Sequence, residues 1–247
     1  GRAQLVFAYD SRYAETPPRS AAALAKWIGA NPGRFSYPQP PDFTGTSFLK
    51  QIALELAPDR SVFMMPAETA DKDAALGPLW QWLETVHPDL WRGGTSYPAN
   101  YTDMVQLLGD GELSFAMAFN PAEFSNGIAS GVLPETVRSY IHQGGTLANV
   151  HFVAIPFNAS ASEAARVTAD FLLSPEAQLR KVRADIWGDP TVLAMHRLPQ
   201  DMQKAFTRVV RGPATLSEAE LGRTLPEPHP SWVAVIEEGW NRRFLLR

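Results

Sequence analysis

Asp42-Phe43-Thr44-Gly45-Thr46-Ser47 is the stretch of this sequence best suited to contact a ligand. Gly45 lets a backbone come close to a bound molecule. The hydroxyls of Thr44, Thr46 and Ser47, with the free N–H groups of a helix start, can hydrogen-bond an anionic or carbonyl group. The same residues also read as an ordinary Thr/Ser helix cap. Phe119-Asn120-Pro121 ends an apolar run, and ligands of open α/β sheets bind beyond the carboxyl ends of strands. Asn120 is therefore placed to hydrogen-bond a solute, or simply to end the strand in an Asn-Pro turn. Tyr9 and Asp10 close the first strand in the same sense. Asn149 and His151 start a strand that can line a cleft or lie at an edge. Trp187, in Trp187-Gly188-Asp189, can place an aromatic over a ligand, although a core tryptophan is the simpler reading.

Residues for covalent chemistry are scarce. There is no glycine-rich dinucleotide fingerprint, phosphate loop, His-Glu-x-x-His or Gly-x-Ser-x-Gly. His87, His142, His151, His196 and His229 lie far apart, without metal-ligand spacing. Cysteine is absent, which removes disulfides, thiol nucleophiles and thiolate zinc sites. Glu237-Glu238 falls on a helical pattern and reads as a solvated face. No catalytic residue, metal site or cofactor motif is expected.

The elements that must position these residues alternate strand with helix, which argues an α/β class. Leu5-Val6-Phe7-Ala8-Tyr9 reads as a buried strand. Ser20 caps a helix with Leu24, Trp27 and Ile28 on one face. Arg34 to Tyr37 reads as a strand. Phe48, Leu49, Ile52, Ala53 and Leu56 form the buried stripe of the helix that starts near Thr44. Trp80 and Leu83 mark another helix, and Asn100 caps Tyr101 to Leu108. Leu113 to Phe119 is a strand, and 137–142 looks helical. A second apolar strand covers 150–156. Ser160 to Glu163 has the form of a capping box, with Val167, Phe171 and Leu172 on the apolar face of its helix. Ser174-Pro175 starts the next helix, and Trp232 to Phe244 closes the chain as a helix.

The 247 residues are 45% apolar and 19% charged, with a net charge of −4. A packed core is feasible, and no basic stripe argues for nucleic acid. No apolar run approaches the roughly 20 residues that span a bilayer.

Three segments resemble the type II periplasmic solute-binding proteins of ABC importers. They are the opening strand with Asp10 and the Pro17-Pro18-Arg19-Ser20 helix start, Leu107 to Ala116, and Phe152 to Gln178 with its Leu173-Ser174-Pro175-Glu176-Ala177-Gln178 ending. Pro41 to Leu49, Val150 to Pro156 and Trp187 to Leu193 resemble the YnjB-type branch of that family. The resemblance implies a two-lobed α/β fold, present here as lobe two plus a partial lobe one. Residues 10–149 are expected to form most of lobe two, 150–205 part of lobe one, and 206–247 a return that packs on lobe two. Hinge strands are expected near Tyr9 and Ile155. Family members carry a long lobe-one segment before the first crossing, so the founding strands of lobe one are expected to be missing. Apolar surface near Val153, Phe171 and Leu172 should then be partly uncovered. The implied function is capture of a small solute between lobes in the periplasm and delivery to a membrane permease, with no chemical step. An enzyme on the same two-lobed fold and a ligand-sensing regulatory domain are the rival readings.

Overall fold

The computed structural model describes residues 1–245. Its strands are β1 (Arg2–Gln4), β2 (Val6–Asp10), β3 (Phe115–Ala118), β4 (Val137–Tyr140), β5 (Thr146–Val150) and β6 (Thr224–Leu225). Its α-helices are α1 (Ala21–Ala30), α2 (Phe43–Leu56), α3 (Lys72–Val86), α4 (Tyr101–Gly109), α5 (Glu123–Ala129), α6 (Ser162–Leu173), α7 (Pro175–Val182), α8 (Gln200–Thr207), α9 (Glu218–Leu221) and α10 (Ser231–Trp240).

β2 is the centre of the larger core. Val6, Phe7 and Ala8 are fully buried, as a continuously apolar run requires. β3 and β4 flank it, both antiparallel, with Val6 opposite Ala118 and Phe7 opposite Tyr140. The helical expectation for 137–142 is therefore corrected. β4 alternates buried Val137, exposed Arg138 and buried Tyr140, and its ladder to β2 outweighs local propensity. Arg34–Tyr37 is not a strand either. Its carbonyls accept from outside, Arg34 from Ser114 N–H (2.8 Å) and Phe35 from Trp91 N–H (2.8 Å).

Helix α2 runs through the middle of this core, with every residue from Thr44 to Leu54 buried. Phe48 packs against Phe7, Phe35, Tyr37 and Trp82. Ser20 caps α1 by accepting from Ala23 N–H, and Leu24 and Ile28 face inward. The chain returns to this core at its end. Trp232, Ile236 and Trp240 of α10 are fully buried. Trp240 Nε1 donates to the Tyr37 hydroxyl (2.8 Å) and Trp232 Nε1 to the Met65 carbonyl (3.0 Å).

A second sheet, β1-β5-β6, joins the first through Leu5. β1 and β5 are antiparallel, with Gln4 opposite Ala148, and β6 runs parallel to β5. The apolar run expected as a strand over 150–156 is corrected to Thr146–Val150. Residues 151–156 have no ladder partner among the described residues. Beyond them the packing thins. Helices α6 and α8 bury no residue. Phe152 is 86% exposed, Phe157 103%, Val167 70% and Phe171 63%. No capping box forms at Ser160, because α6 begins after Ala161 without a side-chain cap. The box appears instead at Ser217 and Glu220.

His142 lies fully buried where β4 runs toward β5, its ring stacked on Phe7 at 4.4 Å. Its Nδ1 is 2.6 Å from Glu55 Oε2, and Glu55 Oε1 accepts from Ala21 N–H at 2.6 Å. Burial pushes the Glu55 carboxyl up, but the His142 contact and the Ala21 N–H outweigh it and hold it below its ordinary range. A depressed carboxylate contributes stability above its unfolded pKa and loses it as pH falls through the folded one. Glu55→Gln is expected to lower unfolding stability by about 1–3 kcal/mol near neutral pH. That deficit should shrink as pH drops below 4.5, the ordinary glutamate value. Denaturant titrations of both proteins across this range check it, and a deficit independent of pH would refute the pairing account.

Candidate functional site

The start of α2 is capped from within. Asp42 Oδ1 accepts from Thr44 N–H (2.8 Å) and Gly45 N–H (3.0 Å), and the Asp42 carbonyl accepts from Thr46 N–H (2.9 Å). These donors are already committed to the protein's own oxygens. Thr44, Thr46 and Ser47 are buried. Thr46 Oγ1 donates to Glu237 Oε1 at 2.7 Å. The expectation that Gly45 admits a ligand is corrected, because a Cβ there would lie 1.9 Å from the Pro38 carbonyl oxygen. The glycine is needed for the chain to pass itself. Of the six residues, Phe43 is the one most open to solvent, at 57% exposure.

Phe43 meets Phe119. Their ring centroids are 4.9 Å apart at 48°, a favourable tilted aromatic pair. This contact brings the start of α2 to the carboxyl end of β3. Lys50 lies on the same helix face as Phe43 and Ser47, at the i, i+4, i+7 spacing. Its Nζ is 5.9 Å from the Phe43 centroid and 2.5 Å from Glu227 Oε2. Asn149 Nδ2, on β5, donates to Glu227 Oε1 at 3.4 Å. Phe43, Phe119, Lys50, Glu227 and Asn149 thus form one patch built from α2, β3, β5 and the chain after β6. Sequence reasoning missed Lys50 and Glu227. The spacing from Phe43 was a usable signal for Lys50. Glu227 is 177 residues from its partner and carried none.

Tyr9 and Asp10 are not part of this patch. β2 runs antiparallel to β3, with Tyr9 opposite Phe115 and Val6 opposite Ala118. That places Tyr9 about 14 Å along the sheet from Phe119, at about 3.4 Å per residue. Asp10 is fully buried and paired with Arg12. Burial raises its carboxyl, but the Arg12 side chain and N–H outweigh it and hold it below the usual range.

Asn120, His151 and Trp187 gather in a neighbouring cluster. Asn120 Oδ1 accepts from Ala122 N–H (3.0 Å) and its Nδ2 donates to the Trp187 carbonyl (3.2 Å). The His151 and Trp187 rings stack at 6.0 Å and 5°. His151 Nδ1 lies 3.4 Å from Asp189 Oδ2, which also pairs with Lys181 Nζ at 2.7 Å.

Two buried glutamines tie the strands that pass between the sheets. Gln51 Nε2 donates to the Gly145 carbonyl (3.1 Å), and its Oε1 accepts from Leu147 N–H (2.9 Å). Gln4 Nε2 donates to Thr146 Oγ1 (3.0 Å) and the Leu221 carbonyl (2.7 Å). The strands that pass between the two sheets therefore pair at Arg2–Gln4 and Thr146–Val150, whereas Tyr9 lies inside the β3-β2-β4 sheet and Ile155 in no strand. Among the described residues no group of three or more His, Cys, Asp or Glu is placed to hold a metal. No described helix is long and apolar enough to cross a membrane.

The model of the bacterial extracellular solute-binding proteins matches residues 2–206. The chain belongs to that family. It is 42% identical over 244 residues to the protein YnjB of Escherichia coli K12, a match covering 99% of this chain and 61% of the relative. The chain thus spans less than two thirds of that relative's length. The fold is shared with an ABC transporter protein of Clostridium perfringens, at TM-score 0.63 and 18% identity over 99% of this chain and 66% of the other. It is also shared with the TpPotD lipoprotein of Treponema pallidum, at TM-score 0.66 and 14% identity over 98% and 66%. The α/β fold expected from the sequence is thus that of periplasmic binding proteins, present in part.

Gly45→Ala should destabilise the chain by about 1–3 kcal/mol through overpacking against Pro38. Thermal unfolding should show this as a fall in midpoint of several degrees. An unchanged midpoint would mean that the Pro38 loop yields freely.

Proposed function

We propose that this chain is the larger part of an extracytoplasmic solute-binding protein of an ABC importer. The intact protein captures a small solute in the periplasm and hands it to a membrane permease without transforming it. Residues 10–149 make most of lobe two and 150–205 contribute to lobe one. Residues 206–247 return to lobe two, and 246 and 247 lie outside the described residues. The solute lies against Phe43 and Phe119, with Lys50, Glu227 and Asn149 as its polar neighbours. Asp42, Thr44, Gly45, Thr46 and Ser47 build the helix start that presents Phe43.

The observation that carries this reading is the Phe43–Phe119 pair beside the two strands that pass between sheets. Phe43 is 57% exposed and pairs with Phe119, so the two rings present an aromatic face that a solute can cover. The exposed apolar side chains at Phe152, Phe157, Val167 and Phe171 support the same reading. They are the surface that the remaining part of lobe one would cover.

The test is calorimetry on the full-length protein with a panel of sugars, amines, polyamines, amino acids and phosphorylated compounds. One tight binder is expected. Phe43→Ala should weaken that binder at least about 10-fold, a loss of about 1.4 kcal/mol. Its melting temperature should stay close to that of the parent, because the ring is mostly outside the core. No binding across the panel, or unchanged affinity in Phe43→Ala, would overturn the assignment.

A further inference from the structure

The Trp187-Gly188-Asp189-Pro190 turn is fastened to the residues that follow β3. Asn120 Nδ2 and Asn126 Nδ2 both donate to the Trp187 carbonyl, at 3.2 and 3.3 Å. One carbonyl oxygen therefore uses both lone pairs on two side chains that flank the start of α5. The Asn120 amide is itself oriented, because its Oδ1 accepts from Ala122 N–H.

Gly188 completes the joint. Its φ is +79°, and a Cβ added there would lie 2.3 Å from Ala122 Cβ. No L side chain fits that gap, so the turn sits against α5 at a distance that only glycine permits. On its other side the turn is held by the 150–205 segment. Trp187 stacks on His151, and Lys181 Nζ bonds both Asp189 and the Pro190 carbonyl. The joint thus has one foot on residues 120–126 and the other on α7 and the exit of β5.

We infer that this joint is a strut between the two lobes and sets the angle at which they stand. Asn120, Asn126 and Gly188 are positioning residues for the solute site, and Trp187 anchors the strut rather than touching the solute. The inference rests on reading 150–205 as part of lobe one. The chemistry suits an adjustable contact. The two asparagine bonds to Trp187 lie at exposed positions, where water can replace them when the lobes move. Gly188 and Ala122 supply the steric stop that fixes the approach. Asn120 directly follows Phe119, and Asn149 lies two residues before His151. A shift of the strut therefore moves opposite walls of the proposed site relative to one another.

The test measures the interlobe angle without any solute. This chain has no cysteine, so Lys26→Cys on α1 and Asp170→Cys on α6 give two label sites in the full-length protein, with any cysteine elsewhere replaced by serine. Pulsed electron spin resonance between the labels should give one narrow distance distribution in the parent. Gly188→Ala should shift or split it. Ala122→Gly added to Gly188→Ala should restore it, because removing the Ala122 methyl reopens the gap. Asn126→Ala, which introduces no clash, should shift the distribution in the same direction by less. It keeps the test informative if Gly188→Ala fails to fold.

An unmoved distribution in both single variants would overturn the strut. So would a Gly188→Ala shift that Ala122→Gly does not reverse, since the cause would then be strain at position 188 alone. Because no solute enters the measurement, a silent calorimetric panel leaves this result standing, and a failed strut leaves the binding assay standing.

Discussion

The Leu5 N–H donates to the Leu147 carbonyl at 2.7 Å, where two strands pass together from one sheet to the other. Leu5 and Leu147 are both fully buried, so this bond is shielded from water and costly to leave unmade. Gln51 and Gln4 surround it with side-chain amides, Gln51 bonding the Gly145 carbonyl and the Leu147 N–H and Gln4 the Thr146 hydroxyl and the Leu221 carbonyl. Together they hold β1 and β5 in fixed register on the larger core. Everything proposed about the site depends on this junction. It brings Asn149 within reach of Glu227 and turns the end of β3 toward α2.

The electrostatics of the site follow from how the core closes around α2. A helix start is a natural anion site, but Asp42 already supplies a carboxylate to the N–H groups of Thr44 and Gly45. What remains for a ligand is an aromatic wall next to the Lys50–Glu227 pair. The Lys50 side chain is 8% exposed and that of Glu227 29%, so the carboxylate is the member of the pair that solvent meets. The ammonium stays compensated inside, as a buried charge must be.

The contrast between the two halves of the molecule has a simple physical origin. The β3-β2-β4 sheet is covered by helices, the returning α10 packs in turn on α2, and the aromatic residues of this core interlock. Residues 151–210 have helices with clear apolar faces that pack chiefly on one another, α6 on α7 and α7 on α8, and α6 and α8 bury no residue. Val167 and Phe171 remain largely exposed, and the Trp187 turn is tied to Asn120 and Asn126 through its carbonyl.

Much of the architecture was legible in the residue pattern. The buried strand at β2, the stripe of α2, the Ser20 and Ser174 caps and the closing helix α10 are all local matters of periodicity and capping, set by nearest neighbours along the chain. Phe43, Phe119 and Asn149, which the structure brings near one another, were also named from the sequence, and their role as a site is the proposal above. Other features were not. The strand at β4, the end of the sheet to which Tyr9 and Asp10 belong, and the demand of Pro38 for a glycine at 45 arise from antiparallel pairing and close approach. So do the partnership of Lys50 with Glu227 and the use of Asn120 to hold a turn. These depend on residues tens to hundreds of positions apart meeting in space. The type of each element is a property of the chain's own pattern, whereas which carbonyl an amide finds, and which charge it neutralises, is set only once the core has closed.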